Sequence, residues 1–444
     1  MSYRALDAPI DVLARHLTKA TLTTWLILIV NALLVVILLN ALRQKILPRN
    51  ASHPPIVFHW FPIIGSAIWY GNDPIAFFQT CQERYGNVFT FILLGRKVTV
   101  ALTPKGSNFV LGGKSTAFNA EEAYKLLGVV YDVPNEIFMQ QKKFVKSGFS
   151  TENLRAYVGM VEEEVAEFVK TDRRFRTPGL TSADEWGSFD AVGAMAEITI
   201  LTAARTLQGK EVRDNMDKSF SQLYADLDGG FTPLNFLFPN LPLPSYRKRD
   251  AAQKKMSEFY IDIMTKRKEN PDDNHHYDMI ASATLAWTSF TLPLAPMNTV
   301  YEEQVERFSN PDGTLRPIGY DDLCSLPVLD SCLRETLRMH PPIHSIMRQV
   351  REDVPVPPTL AAPSEDEIYI IPKGTYVLAS PLILQIDPGI WDDAKKWNPA
   401  RWNDEYGIAT QGSSVVSKGT ESPYKPFGAG KHRCIGEQVM FCHP

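Results

Sequence analysis

The apolar positions of this chain change period several times, and each change predicts an element. From Thr21 to Leu42 there is no polar alternation: TLTTWLILIVNALLVVILLNAL carries no formal charge over about 22 residues. As a helix rising ~1.5 Å per residue it reaches about 33 Å, against a hydrocarbon core of roughly 30 Å. A buried core helix and a cleaved signal peptide fit less well. The run is long, begins some way from Met1 and lacks a small-residue cleavage pattern. Residues 21–42 are therefore read as a transmembrane anchor, with residues 1–20 on the lumenal side. Arg43, Lys45 and Arg49 after the span, set against Arg4, Arg15 and Lys19 before it, lean towards a cytosolic position for the larger, C-terminal part of the chain. The Asn50-Ala51-Ser52 sequon would then stay unused.

Residues 43–66 form a connector whose prolines (PRNASHPPIVFHWFPIIGS) resist helix and favour a stiff extended chain. GNVFTFILLGRKVTVALTP, from Gly86, alternates apolar residues around a Gly-Arg turn and predicts a β-hairpin. GFSTENLRAYVGMVEEEVAEFVK has a Ser/Thr cap followed by helical periodicity, and SYRKRDAAQKKMSEFYIDIMTKRKEN is a second helix. IASATLAWTSFTLPLAPMNTV, Ile280 to Val300, begins as a buried helix that Pro293 and Pro296 break. IYIIPKGTYVLAS returns to strand. The sum is a mainly α chain with a minor β portion.

Composition narrows the classes. The chain has 444 residues, with 46 Lys+Arg against 50 Asp+Glu for a net charge of -4, so nucleic acid is a poor partner. Its 44% hydrophobic and 22% charged residues are globular values. Cys81, Cys324, Cys332, Cys434 and Cys442 form no C-x-x-C pair, which argues against a disulfide framework or a zinc site.

Only Cys434 has neighbours that call for chemistry: FGAGKHRCIGEQ, Phe427 to Gln438. A phosphate cradle fails, because His432 stands at the Ser/Thr place and Lys425 where the first glycine belongs. A cysteine nucleophile is conceivable, since Lys431, His432 and Arg433 would lower a thiol pKa. A plain buried thiol would bury three bases beside it at high cost. A thiolate ligand to haem iron accounts for most of the pattern. Gly428, Gly430 and Gly436 allow close approach to a flat macrocycle, Phe427 shields the sulfur, and His432 suits a propionate.

F-x-x-G-x-H-x-C-x-G resembles the haem-binding loop of the cytochrome P450 superfamily. LDSCLRETLRMHPPIH, Leu329 to His344, resembles its E-x-x-R helix: Leu326, Leu329, Leu333 and Leu337 make an apolar stripe, and Glu335 and Arg338 are i,i+3 neighbours. Alone, that pair would be a solvated surface contact worth ~0.2–0.5 kcal/mol. WNPARW supplies Arg401, which in the family joins Glu335 and Arg338 in a buried structural triad. From about Pro54 onwards the chain is closer still to the fungal sterol 14α-demethylases, through PPIVFHWFPIIGS, NAEEAYKLL, VVYDVPNEIFMQQKKFVK, GGFTPLNFLFPNLPLPSYRKRD and HPPIHSIMRQV.

That resemblance implies a P450 fold over 67–444, haem b with Cys434 as the axial thiolate, and electrons from NADPH through a membrane-bound reductase. It implies removal of the 14α-methyl group of a lanosterol-type sterol, in ergosterol biosynthesis, at the endoplasmic reticulum membrane. Lys142 and Arg348 would meet the propionates. Tyr124 and Tyr131 would line the haem edge and sterol pocket, Phe231, Pro233 and Phe236 the channel mouth, and His344, Ser345 and Met347 the strand opposite. A monooxygenase acting on another lipid is the alternative within the superfamily.

The sequence also departs from the pattern. No A-G-x-x-T oxygen-activation motif is found, so no catalytic residue is assigned, and the helix that carries it in the family is largely missing near 280–300. NAEEAYKLLGVVYDVPN is several residues shorter than the family's version, and the chain ends at Pro444 before the family's terminal strands. These departures predict, as the competing reading, a haem- or sterol-binding fragment with impaired or no turnover, or a chain that does not fold.

Overall fold

The computed structural model describes residues 22–48, 50–124, 139–140, 142–143, 146, 148–175, 190–216, 219–229, 242–269, 297–360, 368–402 and 419–437. The expectations for residues 1–20, for the proline-broken helix of 280–296 and for Tyr131, Phe231, Pro233 and Phe236 fall outside these residues.

Two compact units emerge, one running to Val100 with Asp353–Tyr376 added, the other comprising Ala101–Glu352 and Val377 onwards. In the first, helix α1 spans Leu22–Ile46. Its large apolar side chains from Trp25 to Leu42 are exposed except the half-buried Ile37, and among the described side chains only Ala41 is buried, as suits a lipid-facing helix. It runs four residues past the predicted end, and the extra turn has a polar reason. Asn40 Nδ2 donates to the carbonyls of His59 and Trp60 at 2.9 Å each, and Gln44 Nε2 donates to His59 O at 2.7 Å. The expected connector of 43–66 is helical to Ile46 and turns at Asn50–His53 and Phe61–Gly65; between these turns it is extended and pairs with the first strand through Val57 N to Thr90 O and Thr90 N to Pro55 O, both 2.8 Å.

Helix α2 (Pro74–Tyr85) starts at Asp73, whose carboxylate accepts from Ala76 N at 2.9 Å, and buries Phe77 and Phe78. Phe77 meets Phe91 edge-to-face at 5.0 Å. The predicted hairpin forms from β1 (Val88–Leu93) and β2 (Arg96–Ala101), but its turn is Leu94-Gly95 rather than Gly-Arg. Both turn residues have positive φ, 49° and 78°, the geometry that matches strand twist in a two-residue hairpin.

The second unit is mostly helical, with α3 (Thr103–Leu111), α4 (Thr151–Thr171), α5 (Ala191–Ala203), α6 (Pro244–Glu269), α7 (Met297–Phe308) and α8 (Pro327–Met339). The Ser/Thr cap predicted for α4 is Ser150, whose hydroxyl accepts from Asn153 N at 3.3 Å. Strand β3 (Phe118–Asn119) runs antiparallel to β4 (Ile346–Val350), with Phe118 opposite Val350. In the first unit β5 (Val354–Pro355) pairs with β6 (Ile370–Ile371). Strand β7 (Tyr376–Ala379) lies beside β4. A short helix α9 (Pro381–Gln385), capped by Ser380, follows β7. The predicted stripe of α8 packs inward through Leu326 and Leu337, and Leu337 joins Trp391, Ala394, Trp402 and Tyr424 in one core cluster.

Candidate functional site

The site is built outward from α8, a helix buried over most of its last two turns. Its terminal N–H and C=O groups have no partners within the helix. At the N-terminus, Glu303 from α7 accepts from Val328 N at 3.0 Å and Leu329 N at 3.1 Å, a carboxylate placed where the helix dipole favours one. At the C-terminus, Gln385 Nε2 donates to Leu337 O at 3.0 Å and Arg338 O at 2.9 Å. Both caps come from residues distant in sequence.

Glu335, Arg338 and Arg401 meet as expected, and no solvent screens them: they are 0%, 0% and 4% exposed. Arg338 binds Glu335 in a fork of two 2.9 Å hydrogen bonds, and Arg401 Nε reaches Glu335 Oε1 at 3.0 Å. Trp402 Nε1 and Asn398 N complete the carboxylate, each at 3.0 Å. Burial alone would raise the Glu335 carboxyl. The bonds and charge of Arg338, the Asn398 N–H and the charge of Arg401 outweigh it and hold the group below the usual carboxylate range. Arg338 spends its remaining donors on carbonyls, Gln385 O at 2.5 Å and Ala394 O at 2.8 Å, and stacks over Trp391 at 5.5 Å. Such a saturated network fixes geometry; nothing in it is poised to exchange a proton.

Gln385 faces the cysteine loop with its other end. Its Oε1 accepts from Lys425 N at 2.8 Å. Lys425 is buried, and its ammonium donates to Ser107 Oγ on α3 at 2.6 Å and to Thr420 O at 2.9 Å. From there the loop turns through Gly428 N to Lys425 O at 3.1 Å and closes through Cys434 N to Phe427 O at 3.0 Å. Gly430 has φ +70°, and a Cβ there would lie 2.7 Å from Leu111 O, so this position requires glycine. Phe427 packs on the Leu337–Trp391 cluster, and Ile435 on the Phe149–Tyr157 cluster of α4.

The Cys434 thiol is exposed on one side. Desolvation by the protein on the other side raises its pKa. The backbone N–H of Gly436 lowers it, the Glu437 charge raises it, and the Lys142 charge and the Glu437 N–H lower it, with a net rise. The N–H groups of Gly436 and Glu437 thus favour the charged form of the sulfur, as donors near an anionic ligand do. Gly436 leaves the sulfur accessible: a Cβ there would sit 3.7 Å from Sγ. Lys142, expected at a propionate, donates to the carbonyls of Lys431 at 2.8 Å and Arg433 at 2.6 Å. Arg433 pairs with Glu437.

His432 carries the electrostatic signature of the site. Burial, joined by the positive charges of Arg348, Lys142 and Lys431, lowers its pKa to about 4. Arg348 is buried on β4, beside Met347, whose carbonyl accepts from it at 2.8 Å. This convergence of cations fits a cofactor bearing carboxylates, and the free, exposed Cys434 thiol in its glycine loop fits an iron bound through sulfur. His344 Nδ1 and Ser345 Oγ are paired at 2.8 Å just before β4. The Tyr124 side chain lies outside the described residues. Glu303, Gln385 and Lys425 were missed from sequence; only Lys425, a charge within an apolar-aromatic stretch, left any signal there.

Known proteins resemble this chain along most of its length. The cytochrome P450 family model matches residues 54–291 and 281–440. Lanosterol 14-alpha demethylase of Mycosarcoma maydis is 46% identical, covering 96% of this chain and 86% of that protein. A sterol 14-alpha demethylase of Aspergillus flavus is 42% identical over 92% of this chain and 86% of its own length. The lanosterol 14-alpha demethylase of Schizosaccharomyces pombe is 39% identical over 90% and 87%. Among solved structures, retinoic acid bound cyanobacterial CYP120A1 superposes with a TM-score of 0.65 at 19% identity, covering 88% of this chain and 89% of that one.

Proposed function

Because this chain belongs to the cytochrome P450 family, and within it to the sterol 14-alpha demethylases, we propose that Cys434 is the proximal thiolate of its haem and that the loop from Phe427 to Glu437 is its proximal cradle. The protein is a P450 monooxygenase of the sterol 14-alpha demethylase kind. The bound haem supplies oxygen activation, and the protein supplies the ligand, the orientation and the exclusion of water. The N–H groups of Gly436 and Glu437 favour the charged sulfur, Arg348 and His432 meet the propionates, and Lys142 holds the loop carbonyls of Lys431 and Arg433. Glu335, Arg338 and Arg401 are structural. His344, Ser345 and Met347 border the sterol opposite Tyr124, Tyr131, Phe231, Pro233 and Phe236. The substrate is a lanosterol-type sterol of ergosterol biosynthesis, and the electrons come from NADPH through a reductase. The exposed apolar α1 supports a single-pass anchor, in the endoplasmic reticulum membrane with the catalytic part cytosolic.

The observation that carries this reading is Cys434 at the end of a glycine loop that closes through Cys434 N to Phe427 O and is tied through Gln385 to a buried charged triad. The test is the carbon monoxide difference spectrum of the reduced, haem-loaded protein. A band near 450 nm that Cys434→Ser abolishes is expected; a wild-type protein without it would refute the assignment. Displacement of the iron-bound water by lanosterol, and not by a fatty acid, separates the sterol from other lipids.

One observation favours a second reading for turnover. The family match comes in two stretches that meet at 281–291, and the alignment with the Mycosarcoma maydis enzyme runs over 488 residues, so it places gaps in this chain. The oxygen-activation motif absent from the sequence belongs at that junction. In this reading the chain binds haem and sterol but demethylates far more slowly than a complete relative. A spectral sterol titration run beside a turnover assay distinguishes the two: normal binding with product formed at the relative's rate removes the second reading.

A further inference from the structure

We propose that Gln385 is the positioning residue through which the buried triad sets the place of Cys434; the inference rests on the haem-thiolate reading of that cysteine. Gln385 is fully buried, and both ends of its amide are engaged. Its orientation is fixed by its partners. Nε2 faces two carbonyl oxygens, those of Leu337 and Arg338, and Oε1 faces the Lys425 N–H. A flipped amide would set oxygen against two oxygens. Its own carbonyl accepts from Arg338 Nη1 at 2.5 Å, so the arginine of the triad holds this residue directly.

A continuous hydrogen-bonded path results. Glu335 orients Arg338, Arg338 holds Gln385, and Gln385 holds Lys425 N. Lys425 O then accepts from Gly428 N, and Phe427 O accepts from Cys434 N. The triad itself touches neither Cys434 nor its neighbours in any described hydrogen bond, so its effect on the ligand needs a carrier. Gln385 joins the end of α8 to the chain entering the loop by side-chain bonds in both directions. An apolar side chain of equal length would leave the two helix carbonyls and the Lys425 N–H without partners in a dry interior.

The experiment compares the full-length, haem-loaded wild type with Gln385→Met, Gln385→His and Val212→Ala. Val212 is fully buried in a separate cluster with Ala204, Met216, Phe220 and Ile263, and its truncation serves as a destabilised control. Two readouts are used: the ratio of the 420 nm to the 450 nm band in the reduced carbon monoxide spectrum, and hydrogen exchange of the 424–434 peptide with and without haem. Gln385→Met is expected to raise the 420:450 ratio at least tenfold and to speed exchange at Lys425, Gly428 and Cys434. Val212→Ala should leave both unchanged. Gln385→His, which keeps one donor for a helix carbonyl and one acceptor for Lys425 N, should retain the 450 nm band. If Gln385→Met yields no haem protein, the histidine variant decides: a 450 nm band supports the bridge, and its loss overturns it. A wild-type-like Gln385→Met spectrum, or equal loss in Val212→Ala, also overturns it. A wild type lacking the 450 nm band would instead refute the thiolate reading.

Discussion

Lys425 offers a stability measurement whose sign and size are set by the structure. The residue is 3% exposed, and its ammonium is held by two uncharged oxygens, Ser107 Oγ and Thr420 O. The carboxylate acting on it is Glu421, which also accepts from Asn108 Nδ2 at 2.8 Å. Burial pulls the lysine from 10.5 down to about 7, and Glu421 only partly opposes this. Below pH 7 both the native and the unfolded chain hold this proton, and the native state bears the full cost of a buried cation. Between pH 7 and 10.5 the unfolded chain binds more protons than the native one, so stability rises with pH. At ~1.36 kcal/mol per pKa unit, the cost is about 5 kcal/mol at pH 6 and about 2 kcal/mol at pH 9. Lys425→Met keeps the stem's packing and removes the titration, while leaving Ser107 and Thr420 short of a donor. The difference between the two proteins cancels every other titrating group. Urea unfolding in one detergent at pH 6, 7, 8 and 9, tracked by tryptophan fluorescence, should show the wild type gaining about 3 kcal/mol on the variant across that range. A difference that does not change with pH would refute the buried-ammonium argument, whatever its absolute size.

The same contacts lead to other outcomes. Arg401→Leu leaves the Glu335 carboxylate short of one charge partner at full burial, and should cost about 3–5 kcal/mol of stability in the same urea assay. Gly430→Ala must place a Cβ 2.7 Å from Leu111 O at φ +70°, and should cost about 1–3 kcal/mol, whereas Gly436→Ala meets, among the described residues, only Cys434 Sγ at an ordinary 3.7 Å and should melt like the wild type. Arg155→Ala breaks an ion pair whose partners are 57% and 76% exposed, and should leave the urea midpoint unchanged.

The features legible in the sequence and those hidden from it divide along a physical line. Hydrophobic periodicity is local, and it marked α1, the β1–β2 hairpin, α4, α6 and the inward stripe of α8 with small errors at their ends. Those errors had polar causes at a distance: α1 runs on to Ile46, where Asn40 and Gln44 bind the carbonyls of His59 and Trp60. The cysteine loop and the E-x-x-R pair were legible because their spacing is short and their residue types are unusual. Burial was not legible. Glu335 and Arg338 at i,i+3 read by themselves as a surface pair, and burial entered only through the family resemblance; in the fold Arg401, Trp402 and Asn398 close over them. Glu303 and Gln385 were invisible for the same reason, since each satisfies helix-terminal groups on α8 from 25 and 48 residues away. A glutamine at the end of a short helix has no local feature that announces two carbonyls and an N–H waiting for it. Satisfying buried backbone groups is a long-range requirement, so the residues that meet it appear only when the fold brings both sides together. Here one of them, Gln385, also links the charged triad to the cysteine loop, which is why the parts of the site were legible and their coupling was not.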